Sequence, residues 1–478
     1  MEERMASTAG EIFAKAWLPN PVEAEYQFSE IEGEVPRELN GTFYRVGPSQ
    51  RIEPAAGYSA MHIFDGDALM HAFRFENGRA SYRGRYARTK SFLREQEEGV
   101  YCFGGFNLPP DKKIENAPFN YQPQTNAIFH NGRLFAMGEN FMPFEMDPVT
   151  LESIGPYNYD GKMLGRGTTA HPRIDGRTGQ MIIHGYQPQQ PRVQFYVLES
   201  DGRVSVAEQH DAPWPSFMHD IAVTENYAIL PLGSIFFDVS LALKGATLKS
   251  MLSGRNDLPL TFGVRGRAPG SSIRWIETGM TGFFAHPGNA YEFGSKIILD
   301  GVVYEDPQAL LDSFSSIKSG EPGTGFVSYP YLFEIDLETG SCKHTKLSEI
   351  AAEFPRIDDR LVGYKNRYGY ASTADPDQPA ITSDLSFRSI SRYDREGGVT
   401  VRRAPVQGQW VGEPIFVPRT KDAAEDEGFV MFQMYDAPSN RTAIEILDAA
   451  NIDAAPLARL WMDVRIPLTF HGNWANQH

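Results

Sequence analysis

Eleven histidines lie along the chain, and four of them stand in settings a surface histidine rarely occupies. His171 (TTAHPRID), His219 (SFMHDIAVT), His286 (FFAHPGNAYE) and His471 (LTFHGNW) each end an apolar, strand-like run beside a Pro, Asp or Gly. Their wide separation excludes a metal motif carried on one helix and suits ligands drawn from separate units of a repeated fold. Four neutral imidazoles would leave a divalent ion its full charge and open positions, so that iron(II) held this way can admit O2. Zinc, cobalt and copper accept the same donors. Taken singly, each histidine also reads as a buried structural residue.

Three carboxylates deepen the pattern. Glu139 (LFAMGEN), Glu353 (AAEFPRID) and Glu413 (VGEPIFVPR) fall in apolar or Gly/Pro-bounded segments. A carboxylate in such a place is costly unless paired. Its partner is either the second N–H of a metal-binding imidazole, whose ring it then aims, or a nearby cation such as Arg356 or Arg419.

The elements that must position these groups are strands. Long helical periodicity is scarce, and short alternating runs broken by turn signals dominate. An apolar strand, an acidic turn and a second strand recur at FEMDPVTLES, FYVLESDGRVSV, FEIDLETGSCKH, SRYDREGGVTVRR and IEILDAANIDAAP, with a further hairpin about His130-Asn131-Gly132-Arg133. Hairpins repeated along a long chain predict an all-β fold, and a β-propeller would bring strand ends together on one axis. A sandwich or jelly roll satisfies the same patterning. Thr89 to Gly99 reads as a short helix and Lys421 to Gly428 as a solvated loop. Leu232 to Leu252, apolar and Leu-rich, reads as an insertion packed on the sheets, or one that also guides a greasy substrate or touches membrane. No internal linker divides the chain, so residues 1–478 are expected to form one domain.

The bulk properties narrow the classes. With 478 residues and 41% hydrophobic content the chain can bury a large core, and 31 Phe leave room for an aromatic-lined cavity. A net charge of −16 argues against nucleic-acid partners and against attraction to anionic lipid. Cys102 and Cys342 are too few for a disulfide framework. The N-terminus lacks signal-peptide character and no apolar run is long enough to span a bilayer, so the expectation is a soluble, cytoplasmic protein. Oligomeric state has no signal here.

Taken together, EIEGEVPRELNGTFYRVGP, HIFDGDALMHAFRF, AHPRID, FMHDIAVT, HPGNAYE, EFPRID, GEPIFVPR and FHGNW resemble the carotenoid cleavage oxygenase family, in that family's order and over nearly the whole chain. The resemblance implies a seven-bladed propeller under a helical or loop dome, with iron(II) on the axis. It implies His171, His219, His286 and His471 as the iron ligands. Glu139, Glu353 and Glu413 would orient His219, His286 and His471, leaving His171 without a carboxylate. The implied reaction is cleavage of a conjugated double bond by O2 into two carbonyls, with no side chain acting as nucleophile or general base.

NYDGKM, EFPRIDDRLVG and HGNW are most similar to bacterial lignostilbene and phenylpropene cleavers. Those enzymes stack the substrate ring on a Phe and hold its 4-hydroxyl with a Tyr and a Lys. The Phe is matched by Phe64. The Tyr falls at Phe106, with Tyr101 close by, and the Lys is replaced by Gly138. Without that cation the expected substrate is an aryl alkene or, alternatively, an apocarotenoid, unless Tyr101, Lys112 or Lys113 supplies a polar group. Phe103, Phe141, Phe217, Phe283 and Phe284 flank these segments and could wall a tunnel or simply pack. Two other readings stand beside this one: a family member that isomerises without O2, and a non-catalytic propeller. The second would leave buried polar groups unpaired, each costing about 1–3 kcal/mol.

Overall fold

A computed structural model describes residues 15–52, 62–106, 121–244, 246–313, 328–375 and 387–476. Lys112 and Lys113 lie outside these residues. The chain forms a seven-bladed β-propeller. Blades 2 to 6 each run through four antiparallel strands in chain order: Asn126–His130 to Ser153–Pro156, Arg173–Ile174 to Val204–Asp211, Ala222–Val223 to Ile273–Glu277, Phe283–Phe293 to Ser341–Lys346, and Ala352–Arg356 to Val399–Arg402.

Both chain ends close the ring. Gly472–Asn476 pairs with Gly41–Ser49 to complete blade 1, and Ile31–Gly33 pairs with Ala458–Trp461 to complete blade 7. First strands of neighbouring blades touch: Ala222–Val223 meets Phe283–Phe293, which meets Ala352–Arg356, while Gly472–Asn476 meets Asn126–His130. These are the strands around the axis.

Blades are buried on both faces, which explains why strands such as Gly428–Asp436 (GFVMFQMYD) are apolar almost throughout. A separate cluster fills the space between each pair of adjacent blades. Phe43, Phe73, Phe429 and Ile444 join blades 1 and 7, for example, and Phe262, Phe284, Leu299 and Phe333 join blades 4 and 5. The expected hairpins are all present. Asn131 and Gly132 take φ of 50° and 71°, the left-handed pair that a two-residue turn requires.

The predicted helix is α1, Lys90–Glu98, capped by the Thr89 hydroxyl and ended by Gly99 in the left-handed region. A second α-helix is α2, Pro307–Ser313, and helical backbone also occurs at Lys15 and Ala16. The Leu232 to Leu252 segment is a two-stranded ribbon, Ile235–Phe237 with Leu252–Gly254, joined through 3-10 turns. Among the described residues no helix is long and apolar enough to cross a membrane.

Candidate metal centre

His171 and His219 stand just ahead of the first strands of blades 3 and 4, His471 directly ahead of Gly472–Asn476, and His286 inside Phe283–Phe293. Pro287, which has no N–H to give the ladder, accompanies a register shift at His286, and the bulge re-aims that side chain. The four rings meet on the axis. Ring centroids are 4.4 Å apart for His171 and His219, 4.6 Å for His171 and His471, 4.9 Å for His286 and His471, and 5.0 Å for His219 and His286.

Three glutamates from the remaining blades close around them. Nδ1 of His219 lies 3.0 Å from Glu139 Oε2, Nδ1 of His286 lies 2.7 Å from Glu353 Oε2, and Nδ1 of His471 lies 2.9 Å from Glu413 Oε1. A carboxylate accepts, so each Nδ1 carries the proton and each Nε2 presents its lone pair inward. His171 differs. A carboxylate does stand near it, Asp220, but at 3.6 Å, and Asp220 accepts instead from Arg173 at 2.8 Å and from the Ile221 N–H. The expected alternative partner for Glu413 is present as well: Arg356 donates to Oε1 at 3.1 Å, so this carboxylate serves a histidine and a guanidinium together. Arg419 pairs with Glu38 instead.

The electrostatics favour the neutral, electron-donating form at two of the four imidazoles, whereas His286, against its burial, is raised by the Glu353 carboxylate. Burial, then the neighbouring histidines, holds His171 well below the ordinary imidazole range. Burial also pulls His471 down to about 4 against the pull of Glu413. Burial would raise Glu353 and Glu413, but the His286 charge for the first, and Arg356 followed by His471 for the second, keep both below the usual carboxylate value. Glu139 is raised by its burial, which His219 only partly offsets.

A divalent metal fits this donor set. Candidate ligand atoms of His171, His219 and His286 all lie within 4.8 Å of one another. Nε2 of His219 and Nε2 of His286 are 3.1 Å apart, two lone pairs facing each other with both Nδ1 atoms already engaged. Two imidazole nitrogens each about 2.1 Å from one ion at a right angle would be about 3 Å apart. The buried Nε2 of His171 has no hydrogen-bond partner among the described residues.

The cover over the histidines is mostly loop. Glu95 of α1 accepts from the N–H groups of Cys102 and Phe103, Asp65 accepts from Phe106, and the carbonyls of Gly105 and Phe106 accept from Leu248 and Lys249. Phe64 packs at 5.3 Å from both Phe106 and Phe470, the residue before His471. The Tyr101 hydroxyl is buried without a partner among the described residues. A side chain at Gly138 has no room, because an added Cβ would sit 2.2 Å from the Gln122 carbonyl oxygen.

Of the five candidate tunnel phenylalanines, Phe217 stacks on His219 at 5.7 Å, and Phe283 lies 6.2 Å from the same ring. Phe284 packs between blades 4 and 5 and Phe141 against Tyr121, while Phe103 is buried in the cover. Sequence reasoning passed over Phe354, whose ring lies 5.7 Å from His286 and 5.2 Å from His471. Its φ of 55° is unusual for a bulky residue, and the register of its strand breaks there. Its place between Glu353 and Pro355 was the available signal. Two open surface grooves, of about 1650 and 880 Å3, are lined elsewhere and include none of the four histidines.

A propeller with histidines gathered on its axis and carboxylates behind three of them has the architecture of a metal-binding centre. The family model described as retinal pigment epithelial membrane protein matches residues 18–476, and the chain belongs to this carotenoid oxygenase family. The chain is 30% identical to isoeugenol monooxygenase of Pseudomonas nitroreducens over 472 residues, 96% of each protein. It superposes on the Pseudomonas brassicacearum lignostilbene dioxygenase with a TM-score of 0.87 at 29% identity, covering 96% of this chain and 97% of the other. It also superposes on cobalt-substituted Synechocystis apocarotenoid oxygenase with a TM-score of 0.90 at 27% identity, covering 99% and 100%. It is an oxidoreductase, a dioxygenase of the family that cleaves carbon–carbon double bonds.

Proposed function

We propose that this chain is an iron(II)-dependent dioxygenase that splits the conjugated double bond of a stilbene- or phenylpropene-type aryl alkene, giving two carbonyl products. The observation that carries the reading is the 3.1 Å approach of two imidazole Nε2 atoms whose Nδ1 atoms are held by carboxylates. His171, His219, His286 and His471 would hold the ion. Glu139, Glu353 and Glu413 fix the tautomer and aim of three of these rings. When bound, iron(II) supplies the electron density and open positions through which O2 becomes reactive toward an alkene.

The rest of the site positions and shields. Phe217, Phe283 and Phe354 pack apolar rings against His219, His286 and His471, which shields the centre from water. Phe64, Phe106 and Tyr101 are assigned to the substrate, whose double bond must be held near the centre for attack. The names of the isoeugenol and lignostilbene relatives support an aryl alkene. The Gln122 carbonyl against Gly138, which bars a phenolate-binding cation there, favours a non-phenolate substrate and supports an apocarotenoid as the second reading.

The test is O2 uptake by the iron(II)-loaded protein offered 4-hydroxystilbene, its O-methylated analogue and an apocarotenal in parallel. Uptake with the methylated stilbene supports the proposal, and uptake with the apocarotenal alone transfers it to the second reading. No uptake with iron bound would overturn both.

A further inference from the structure

Three of the four histidines are aimed by glutamates. His171 has no carboxylate within hydrogen-bond distance among the described residues, Asp220 standing 3.6 Å from its Nδ1. Its place among the others must therefore come from the chain on either side of it. Ahead of the ring, Asn126 Nδ2 donates to the Ala170 carbonyl at 3.0 Å. Beyond it, Arg173 opens the first strand of blade 3, and its guanidinium reaches two further blades. Its Nε donates to the Ile221 carbonyl at 2.9 Å, and its Nη2 donates to Asp220 Oδ2 at 2.8 Å and to the Pro287 carbonyl at 3.2 Å. Asp220 directly follows His219, and Pro287 directly follows His286. One side chain thus joins the segments that carry three of the four histidines.

A guanidinium is planar and its donors point in fixed directions, so the acceptors it holds are fixed relative to one another. The spacing held in this way is the spacing of the centre. Ring centroids are 4.4 Å apart for His171 and His219, 5.1 Å for His171 and His286, and 5.0 Å for His219 and His286. The Nε2 atoms of the last two face each other at 3.1 Å. Lone pairs that close repel when no ion lies between them, so the segments behind them need an outside tie. Asp220 is 1% exposed, a costly place for a carboxylate that Arg173 makes tenable. Arg267 offers a comparison. It also joins blades 3 and 4, donating to Asp175 Oδ2 at 2.6 Å, to Gln180 Oε1 at 2.6 Å and to the Thr224 carbonyl at 3.1 Å. None of these acceptors adjoins a histidine of the centre.

We propose that Arg173 is a positioning residue for the metal centre. Its guanidinium sets the spacing of His171, His219 and His286, and through it the affinity and ligand field of the ion they hold. This rests on the histidine centre of the reading above and not on the alkene.

The experiment compares the whole unaltered protein with Arg173→Lys, Arg173→Met and Arg267→Met. Each is loaded with cobalt(II) for its visible ligand-field spectrum, competed against a chelator for iron(II), and unfolded in urea without metal. Arg173→Lys keeps a charge opposite Asp220, but a single ammonium cannot hold three acceptors at fixed angles. Both Arg173 variants should bind iron(II) about 10–100-fold more weakly and shift the cobalt bands. Arg173→Met should also lower the urea midpoint more than Arg173→Lys does. Arg267→Met should lower the urea midpoint alone. Unchanged affinity and spectrum in the Arg173 variants, or an Arg267→Met variant that loses as much affinity, overturns the proposal. So does an Arg173→Lys variant that restores both readouts, since charge without the fork would then suffice. If Arg173→Met does not fold, Arg173→Lys decides by the same readouts. An unaltered protein that retains neither ion overturns the metal reading and this inference together, which sets that failure apart from a variant without effect.

Discussion

Replacing Glu413 by Gln should damage both the metal centre and the fold, and the two losses are separable. Its Oε1 accepts from His471 Nδ1 at 2.9 Å and from Arg356 at 3.1 Å, while its Oε2 accepts from the Gly472 N–H at 2.9 Å and lies 3.8 Å from the Arg45 guanidinium. Arg45 is fully buried, and its remaining partners are Thr469 and backbone carbonyls, among them Phe470 at 2.8 Å. Glutamine keeps the shape and one acceptor but strips the charge that balances the buried Arg45 and the partly buried Arg356. Breaking a buried pair by removing one partner costs about 3–5 kcal/mol. Losing a carboxylate that orients a ligand imidazole lowers metal affinity by about 10–100-fold. Glu353→Gln is the control: its carboxylate serves the His286 ring and the Phe354 N–H, and no guanidinium hydrogen bond to it is found among the described residues. It should show the same drop in affinity with only about 1–3 kcal/mol of destabilisation. Urea unfolding of the metal-free proteins reads the first quantity and chelator competition for iron(II) the second. Equal unfolding free energies for the two variants would refute the reasoning, since the Arg45–Glu413–Arg356 cluster would then carry no net stability.

His219→Ala should fold, since His219 lies at an edge of the aromatic shell and not in an inter-blade core, yet fail to retain iron through gel filtration, as metal analysis would show. Gly138→Ala forces a Cβ to within 2.2 Å of the Gln122 carbonyl, so it should destabilise by about 1–3 kcal/mol, read from thermal unfolding. His71, fully buried against the Tyr82 hydroxyl, is held down to about 3 by burial and then by the Arg45 charge. The unfolded chain therefore takes up a proton below about pH 6.5 that the folded one refuses until about pH 3. Stability present above that window is lost across it at up to about 1.4 kcal/mol per pH unit, and His71→Gln should flatten the fall in unfolding free energy, measured by urea titration, by up to that amount.

Much of the architecture was legible because a propeller is built from local units. Five hairpins carried their own acidic turns and a sixth its Asn131-Gly132 pair, and α1 carried both of its caps, Thr89 and Gly99. The four histidines could be picked out singly because each ends an apolar strand at a turn residue. What joined them was long-range: His471 reaches the axis only because the final strand pairs with Gly41–Ser49 from the start of the chain. The same limit hid Asp220 beside His171 and the second buried cation on Glu413. Phe354 escaped notice because its approach to two imidazoles depends on a left-handed backbone that no residue-type preference signals. Gly138 was read as the loss of a phenolate-holding cation. The structure sets the Gln122 carbonyl against it, a contact between two segments that no local pattern signals.

The most direct test of the central claim is the fate of the oxygen atoms. The iron(II)-loaded protein would be given 4-methoxystilbene under ¹⁸O2, with the carbonyl products reduced as they form so that exchange with water cannot erase the label. A dioxygenase built on this histidine centre places ¹⁸O in both products, with one O2 consumed for each double bond cleaved. Product formed with label in neither fragment, or iron-loaded protein that consumes no O2 with any conjugated alkene, would contradict it.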